Sequence, residues 1–474
     1  MTDIYDMTIF CGKRCDVLGI GISNIPLIKM LSAVGAFVTA RDKKNDIGEL
    51  KEELEALGVK LVLGENYLEG IDTDYIFRSP GIRPDLPQII EALNKGALLT
   101  SEMALFCALT KASIIAITGS DGKTTTTTLT HKFIESELKK REKGNAYVGG
   151  NIGTPLLSKY REMTKDDYAV LELSSFQLMD MCPHPIRAAI TNVTPNHLNW
   201  HTGMDEYTKA KTNIFDGSTE LVLNADNEAT LKIAKECKNN VTLFSSTKSG
   251  FFEIANGIDN CMRAIYLCDG YITVSDGIEE KKLFLASDIL IPGKHNVENY
   301  MTAIALTFGI VSAEIYEMVA KSFGGVEHRL ELVRELDGVK YYNSSIDSSP
   351  TRTAAALSAV EGGKVVICGG YDKGIDFAPL AKSLCNRARC AVLTGATANK
   401  IKRAIEECPI YASSGLEVRY AEGFAEAVAL ARACARKGES VILSPACASF
   451  DAFKNFEERG RVFKEIVLAL DKKN

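Results

Sequence analysis

Residues 113–129 read S-I-I-A-I-T-G-S-D-G-K-T-T-T-T-T-L, and this stretch decides the fold. The run Ile114, Ile115, Ala116, Ile117 predicts a buried strand. Gly119, Ser120, Asp121 and Gly122 form a tight turn, and Lys123 opens a threonine-rich helix. A strand, a glycine turn and a helix N-terminus together make an anion site, because free N–H groups and the positive end of the helix dipole face the phosphates. Lys123 adds a point charge, the Thr124 hydroxyl can ligate Mg²⁺, and Thr125 follows in the same turn. The strict phosphate-loop pattern has its first glycine where this chain has Ile117, so the match is to a shortened form, G-x-x-G-K-T. An ordinary strand-to-helix turn carrying a lysine is the alternative. The joint placement of strand, turn and hydroxyl favours a nucleoside triphosphate site.

At 474 residues the chain has room for about three domains. Its 46% hydrophobic and 24% charged residues are those of a globular protein. A net charge of −6 argues against a nucleic-acid binder, whose affinity rests on neutralising phosphates. The first ten residues carry no basic segment or long apolar run, so no signal peptide is expected. The longest apolar stretch, 300–313, is too short to span a membrane and reads as a buried helix. The 13 cysteines show no C-x-x-C spacing and read as reduced thiols in a cytoplasm, most of them small core residues.

Before the phosphate loop, residues 16–21 (D-V-L-G-I-G) predict a strand running into a glycine turn. A helix over 24–34 and a second strand from Phe37, ending at Asp42, complete a βαβ unit. Gly19, Gly21 and Asp42 fall in a Rossmann-like arrangement whose third glycine is replaced by Asn24. A nicotinamide site, a nucleotide-sugar site and a plain structural turn all remain open at this point. Tyr75-Ile76-Phe77 leads into Ser79-Pro80-Gly81-Ile82, a turn at a strand's C-terminal end, where open α/β sheets bind ligands. Residues 98–102 read as a last short strand, and a new domain begins near Lys111.

After the loop, a strand over 168–173 delivers Glu172, a carboxylate able to reach a Mg²⁺ ion held by Thr124 and the triphosphate. A strand over 188–193 delivers Asn192 and Thr194, then His197 and His201. Their spacing of four would make a zinc pair on a helix, but no third ligand is evident. The other reading has His197 alone facing the phosphates and His201 structural.

Several ordered elements resemble the Mur ligase family of peptidoglycan synthesis: T-G-S-D-G-K-T-T, G-G-N-I-G (149–153), E-L-S-S-F-Q-L (172–178), N-V-T-P-N-H (192–197) and Y-T-K-A-K (207–211). Later matches are P-G-K-H-N (292–296) with Asn299, E-H-R (327–329), L-S-P-A-C-A-S (443–449) and F-K-N-F-E-E-R-G (453–460). The E-L-S-S-F-Q-L element is most similar to the D-glutamate-adding branch. The resemblance implies an α/β protein of three domains. These are a Rossmann-like N-terminal domain (1–110) for a UDP-sugar, a central P-loop-type ATPase domain with a mostly parallel sheet (111–323), and a C-terminal Rossmann-like domain (324–474) for the amino acid. It implies a monomeric cytoplasmic enzyme with UDP-N-acetylmuramoyl-L-alanine, D-glutamate and ATP as substrates, two Mg²⁺ ions, and no nucleic-acid or membrane partner. Closure about linkers near Lys111 and Gly324 is expected.

Carried over residue by residue, the resemblance assigns catalysis to Lys123, Glu172, His197 and Lys211, and ATP contacts to Gly119–Thr125, Asn296, Asn299 and Arg329. It assigns the UDP-sugar to Gly19, Gly21, Ser23, Asp42, Ser79, Gly81, Asn151, Ser174 and Gln177, and D-glutamate to Lys373, Ser449, Phe450, Phe456 and Ser348. Metal would be held by Thr124, Glu172, His197 and Lys211, the last carbamylated by CO₂, with Lys209 a rival two residues away. Only a neutral amine reacts with CO₂, so burial or neighbouring cations must lower the lysine pKa from ~10.4. The chain departs from the family's N-D-S-K by reading Asn343-Ser344-Ser345-Ile346-Asp347. Ser344 cannot supply an anionic contact, and Asp347 is a candidate substitute. A sibling ligase, a folate polyglutamate synthetase and a catalytically silent nucleotide-binding regulator are the competing functions.

Overall fold

A computed structural model describes residues 6–471. Its strands form three sheets in sequence order, with helices in most but not all of the connections between successive parallel strands; the connections 64–74 and 173–186 are made without one. The first contains β1 (Arg14–Leu18), β2 (Phe37–Asp42), β3 (Lys60–Leu63), β4 (Tyr75–Arg78) and β5 (Leu98–Thr100), all parallel, in the order β3-β2-β1-β4-β5. The order reverses between β1 and β4, so the turns after these strands, 19–23 and 79–82, flank the crevice where such sheets bind ligands.

The second sheet contains β6 (Ser113–Thr118), β7 (Ala146–Gly150), β8 (Tyr168–Glu172), β9 (Arg187–Ile190), β10 (Glu220–Asn224), β11 (Val241–Phe244), β12 (Cys261–Cys268), β13 (Tyr271–Ser275) and β14 (Glu280–Leu285). Its order is β14-β13-β12-β11-β10-β9-β6-β8-β7, parallel from β7 to β12 and closed by an antiparallel meander. β6, the strand of the phosphate loop, sits between β8 and β9. The third sheet contains β15 (Glu331–Leu336), β16 (Val339–Asn343), β17 (Lys364–Cys368), β18 (Cys390–Leu393), β19 (Glu417–Tyr420) and β20 (Ser440–Leu443). It is ordered β15-β16-β20-β17-β18-β19, with only β15 antiparallel. The expected mixed α/β class with mostly parallel sheets is what the chain adopts.

By contact density the chain forms two compact units, Met1–Ala286 with Val297–Val319, and Ser287–Asn296 with Ala320–Asn474. The first two sheets share one unit because a single apolar cluster runs through both. Phe10, Leu27 and Phe77 of the first sheet's layers join Leu105, Phe106, Leu157, Leu171 and Leu221 in it.

Three boundaries differ from expectation. The strand expected over 98–102 stops at Thr100, because Ser101 accepts the Ala104 N–H on its hydroxyl (3.1 Å) and caps the helix Glu102–Leu109. The strand expected to reach 193 ends at Ile190, so Asn192 and Thr194 lie in the following loop. The apolar stretch 300–313 is not one helix: Lys294–Thr307 ends in a turn at Gly309 (φ +80°), and Ala313–Ala320 follows. Among the described residues, no helix is long and apolar enough to cross a membrane.

Candidate active site

The phosphate loop leaves β6 at Thr118 and enters the helix Lys123–Arg141. Gly119 (φ +150°) and Gly122 (φ +81°) occupy backbone conformations that side chains rarely adopt. A Cβ at Gly119 would overlap Thr191 Oγ1, and one at Gly122 would overlap Asn299 Oδ1. The loop is braced from the segment after β9. Thr191 Oγ1 donates to the Asp121 carbonyl (2.6 Å), and Asn192 Oδ1 accepts the Asp121 N–H (2.9 Å). Ser120 Oγ lies 3.0 Å from the Tyr207 hydroxyl and donates to the Thr194 carbonyl (2.9 Å). Lys123 Nζ curls over the loop, donating to the Gly119 and Ser120 carbonyls (3.0 and 2.9 Å). Thr124 and Thr125 are half-buried in the first helical turn, and Asn299 approaches it through Thr126 Oγ1 (3.3 Å).

Glu172 ends β8 in register with Ile117 of β6 and is 1% exposed. Its Oε1 accepts a hydrogen bond from Asn151 Nδ2 (3.0 Å), whereas Oε2 is buried with no partner among the described residues. An unpartnered buried carboxylate oxygen is costly, and a divalent cation is the partner that suits it, so the residues present fit Mg²⁺. Asn151, expected at the UDP-sugar, uses its Nδ2 to hold the candidate metal ligand Glu172.

Lys211 lies in the helix Met204–Thr212 and is 1% exposed. Its Nζ donates to the Gly119 carbonyl (2.7 Å) and lies 4.5 Å from the Tyr207 ring centroid. Burial, and after it the charge of Lys123, push its pKa down to about 7, against a small opposing pull from Asp121. Lys209 instead lines a separate cavity with Cys182 and Asp216. His197 (φ +53°) is exposed and sets its ring 5.0 Å from Phe176. Its pKa is lowered by burial and then by Lys123 and Lys211, whose cations face the same space.

His201 is 2% exposed and has both ring nitrogens engaged, Nδ1 with Glu206 (3.0 Å) and Nε2 with Ser175 (2.9 Å). The backbone over 197–201 is a turn rather than a helix, so the two histidines do not form a zinc pair. Glu206 is also held by Arg83 (2.9 Å), whose guanidinium lies 4.9 Å from the Trp200 ring centroid. Arg83 and the fully buried Arg78, paired with Asp180 (2.6 Å), tie the turn after β4 to this site. Sequence reasoning passed over both arginines. Arg78 as the last residue of β4 and Arg83 in the turn after it, at a strand's C-terminal end, were the available signal.

In the crevice of the first sheet, Asn24 Nδ2 donates to the Gly19 carbonyl (2.8 Å) and to Ser79 Oγ (3.0 Å), joining the two turns. Asp42 accepts the Ile20 N–H (2.7 Å) and the Lys44 N–H (2.9 Å), so its carboxylate braces the glycine turn. Gly21 and Ser23 are exposed in that turn, and the Gly81 carbonyl accepts Trp200 Nε1 (3.3 Å). Ser174 and Gln177 bond each other, Gln177 Oε1 accepting the Ser174 hydroxyl (3.0 Å).

In the second unit, Phe450 is 61% exposed, with Lys373 Nζ 5.8 Å from its ring centroid, while Ser449 beside it is buried. Arg459, part of the F-K-N-F-E-E-R-G stretch but given no role from sequence, is buried and donates to the Ser345, Cys447 and Ala448 carbonyls (2.8, 3.1 and 3.1 Å). Phe456 is half-buried and its carbonyl accepts Ser345 Oγ (2.8 Å), while Ser348 is half-buried after β16. Ser344 Oγ accepts the Leu330 N–H (3.0 Å), fixing the chain just after the exposed Arg329. Asp347 is 6% exposed and accepts Ser444 Oγ (2.8 Å); burial raises its pKa. Asn296 Nδ2 donates to the Pro292 carbonyl (2.6 Å).

Comparison with known proteins agrees with this arrangement. Residues 117–307 match the Mur ligase middle domain, and residues 328–447 the Mur ligase glutamate ligase domain. The chain is 45% identical over 463 residues to the UDP-N-acetylmuramoylalanine–D-glutamate ligase of Ruminiclostridium cellulolyticum, covering 96% of each chain. It is 46% identical over 465 residues to the enzyme of that name from Clostridium beijerinckii, covering 97% of each. A pseudomurein peptide ligase type C from Methanothermus fervidus shares the fold, with a TM-score of 0.50 at 18% identity over 97% of this chain and 100% of that one. With the phosphate loop, the buried Glu172 and Lys211 and these matches together, the chain belongs to the Mur ligase family.

Proposed function

We propose that this chain is an ATP-dependent ligase that joins D-glutamate to UDP-N-acetylmuramoyl-L-alanine in peptidoglycan synthesis. The observation that carries the reading is a pair of buried groups beside the phosphate-loop strand: the half-unpartnered carboxylate of Glu172, in register with Ile117 of β6, and Lys211, which reaches the Gly119 carbonyl and whose pKa burial pushes down to about 7. Relatives of that name, matched along nearly their whole length, support the choice of substrates. ATP lays its phosphates on the loop N–H groups and Lys123, with Asn296, Asn299 and Arg329 as further contacts. Thr124, Glu172, His197 and the carbamate of Lys211 would hold two Mg²⁺ ions. Bound there, Mg²⁺ supplies charge neutralisation for the phosphoryl oxygens.

Lys211 meets the demand that carbamylation makes. With a pKa of about 7 much of its amine is neutral at physiological pH, so the Nζ lone pair can attack CO₂ and release a proton. Lys123 then acts on the γ-phosphate as charge develops. A carboxylate oxygen of the terminal L-alanine attacks the γ-phosphorus, the bond to the bridging oxygen breaks, and ADP leaves an acyl phosphate. The free amine of D-glutamate attacks the acyl carbon, phosphate departs with the bonding pair, and the amine proton passes to solvent. We assign the UDP-sugar to residues 1–110, ATP to 111–323, and D-glutamate to 324–474 with Lys373, Ser449, Phe450, Phe456 and Ser348. We place the reaction in the cytoplasm, carried out by a monomer.

Trapping tests the intermediate. ATP, Mg²⁺ and UDP-N-acetylmuramoyl-L-alanine, incubated with the enzyme and hydroxylamine but no amino acid, should yield a hydroxamate of the UDP-sugar. Its absence, with amide product still forming when D-glutamate is added, would contradict the acyl-phosphate route.

A further inference from the structure

Beyond Asp180 the chain reads Met181-Cys182-Pro183-His184-Pro185. Prolines on both sides restrict the backbone, and His184 adopts φ +48°, a conformation that a residue with a Cβ takes at some cost. That geometry lays the imidazole against Asp216, Nδ1 to Oδ2 at 2.7 Å. One ligand atom from each of Cys182, His184 and Asp216 lies within 4.8 Å of the other two. A cavity of about 630 Å³ opens beside them, lined also by Asn213 and Lys209. No step of the ligase reaction uses this cluster.

The donor set is sulfur, nitrogen and oxygen, which suits a borderline-soft divalent ion and not Mg²⁺. Asp216 Oδ1 is already held by the Ser218 N–H (2.8 Å), Ser218 Oγ (2.6 Å) and Thr219 Oγ1 (3.2 Å), so Oδ2 is presented in a fixed direction. Burial raises the Asp216 carboxyl, but the bonds from Ser218, His184 and Thr219 outweigh it and keep the group anionic. Burial raises the Cys182 thiol, the His184 backbone N–H opposes this only in part and the Asp216 charge adds to it, so the thiolate forms only as the metal binds. One thiolate, one carboxylate and a neutral imidazole balance a charge of 2+.

We propose that Cys182, His184 and Asp216 bind a zinc-class divalent ion, with water from the cavity in the fourth position. The ion takes the place of the proton shared by Nδ1 and Oδ2, the imidazole then carries its one proton on Nε2, and the Cys182 proton leaves to solvent as the metal–sulfur bond forms. Tetrahedral ligands stand about 3.3–3.8 Å apart, so the His184–Asp216 pair opens slightly and the wider spacings close. Asn213, at the end of the helix that carries Lys211, donates Nδ2 to the Leu178 carbonyl (2.7 Å). A bound ion would clamp that helix end to the chain following Gln177.

Cobalt is the probe. The full chain, with excess Mg²⁺ and a non-hydrolysable ATP analogue filling the nucleotide site, is titrated with Co²⁺ and followed by near-ultraviolet absorption. The expected result is a thiolate-to-cobalt band that saturates at one equivalent and is abolished by Zn²⁺. Cys182→Ser should lack the band, and His184→Gln, an exposed position, should need about tenfold more Co²⁺. A wild-type chain without the band, or a band that survives in Cys182→Ser, would overturn the site.

Discussion

In the proposed mechanism, Lys211 is the residue on which most of the chemistry rests. Its amine loses a proton at about 7 instead of 10.5, chiefly because of burial. Between those values the unfolded chain binds a proton that the native chain does not, so stability at this position rises with pH through that window. The penalty is complete below about pH 7, where the fall in pKa corresponds to roughly 5 kcal/mol as an upper bound. In CO₂-free buffer, Lys211→Met should therefore raise Tm more near pH 7 than near pH 10; an equal rise at both would contradict a lowered lysine pKa. The same variant should lose at least ~100-fold in kcat if the carbamate is needed to organise the metal. Glu172→Gln keeps the shape and the Asn151 bond but removes the charge at Oε2. It should leave Tm unchanged or higher, raise the Mg²⁺ requirement and lower kcat by about 10²–10³. Unaltered Mg²⁺ dependence would remove Glu172 from the metal site. Sequence alone left Lys209 and Lys211 side by side, because helix spacing does not say which of two neighbours a loop carbonyl will meet.

At the scale of elements, the strand–turn–helix of the phosphate loop was legible because each of its parts is local: a β-branched run, two glycines and a threonine helix. The elements that hold it were not, since Thr191 and Asn299 are distant in sequence and become neighbours only when the sheet forms. Gly119→Ala combines a strained φ with overlap on Thr191 and should cost at least ~2 kcal/mol, with loss of ATP binding, read by denaturant unfolding and nucleotide titration. Full retention of both would mean that the loop is not braced as described. The short strand at 98–100 was read too long because apolar residues lead straight into Ser101, whose capping role depends on the helix after it. The turn after β4 reaches the Glu206–His201–Ser175 chain through Arg83. Hydrogen bonds from Arg83, the strongest influence, help hold the Glu206 carboxyl at about 2. Arg83→Ala should raise KM for the UDP-sugar several-fold and change kcat less, because it loosens a binding turn rather than a reacting group. A fall in kcat with KM unchanged would place Arg83 in the chemistry.

For the whole molecule, composition and the chain of ordered motifs were enough to anticipate an α/β ligase with mostly parallel sheets. They could not show that the first two sheets share one apolar cluster, because nothing in the local pattern around Leu105, Phe106 and Leu157 says which sheet they will pack against. Nor could they show that Cys182 and His184 meet Asp216, a contact made only when two loops converge. The proposed ligase reaction with ATP, UDP-N-acetylmuramoyl-L-alanine and D-glutamate is tested most directly by one assay. Phosphate release is followed with ATP, Mg²⁺ and UDP-N-acetylmuramoyl-L-alanine, with and without D-glutamate, and the product is weighed. Release that requires D-glutamate, together with a product heavier by one glutamate less one water, is the predicted result. Release driven by a different amino acid, or none with D-glutamate, would contradict the account.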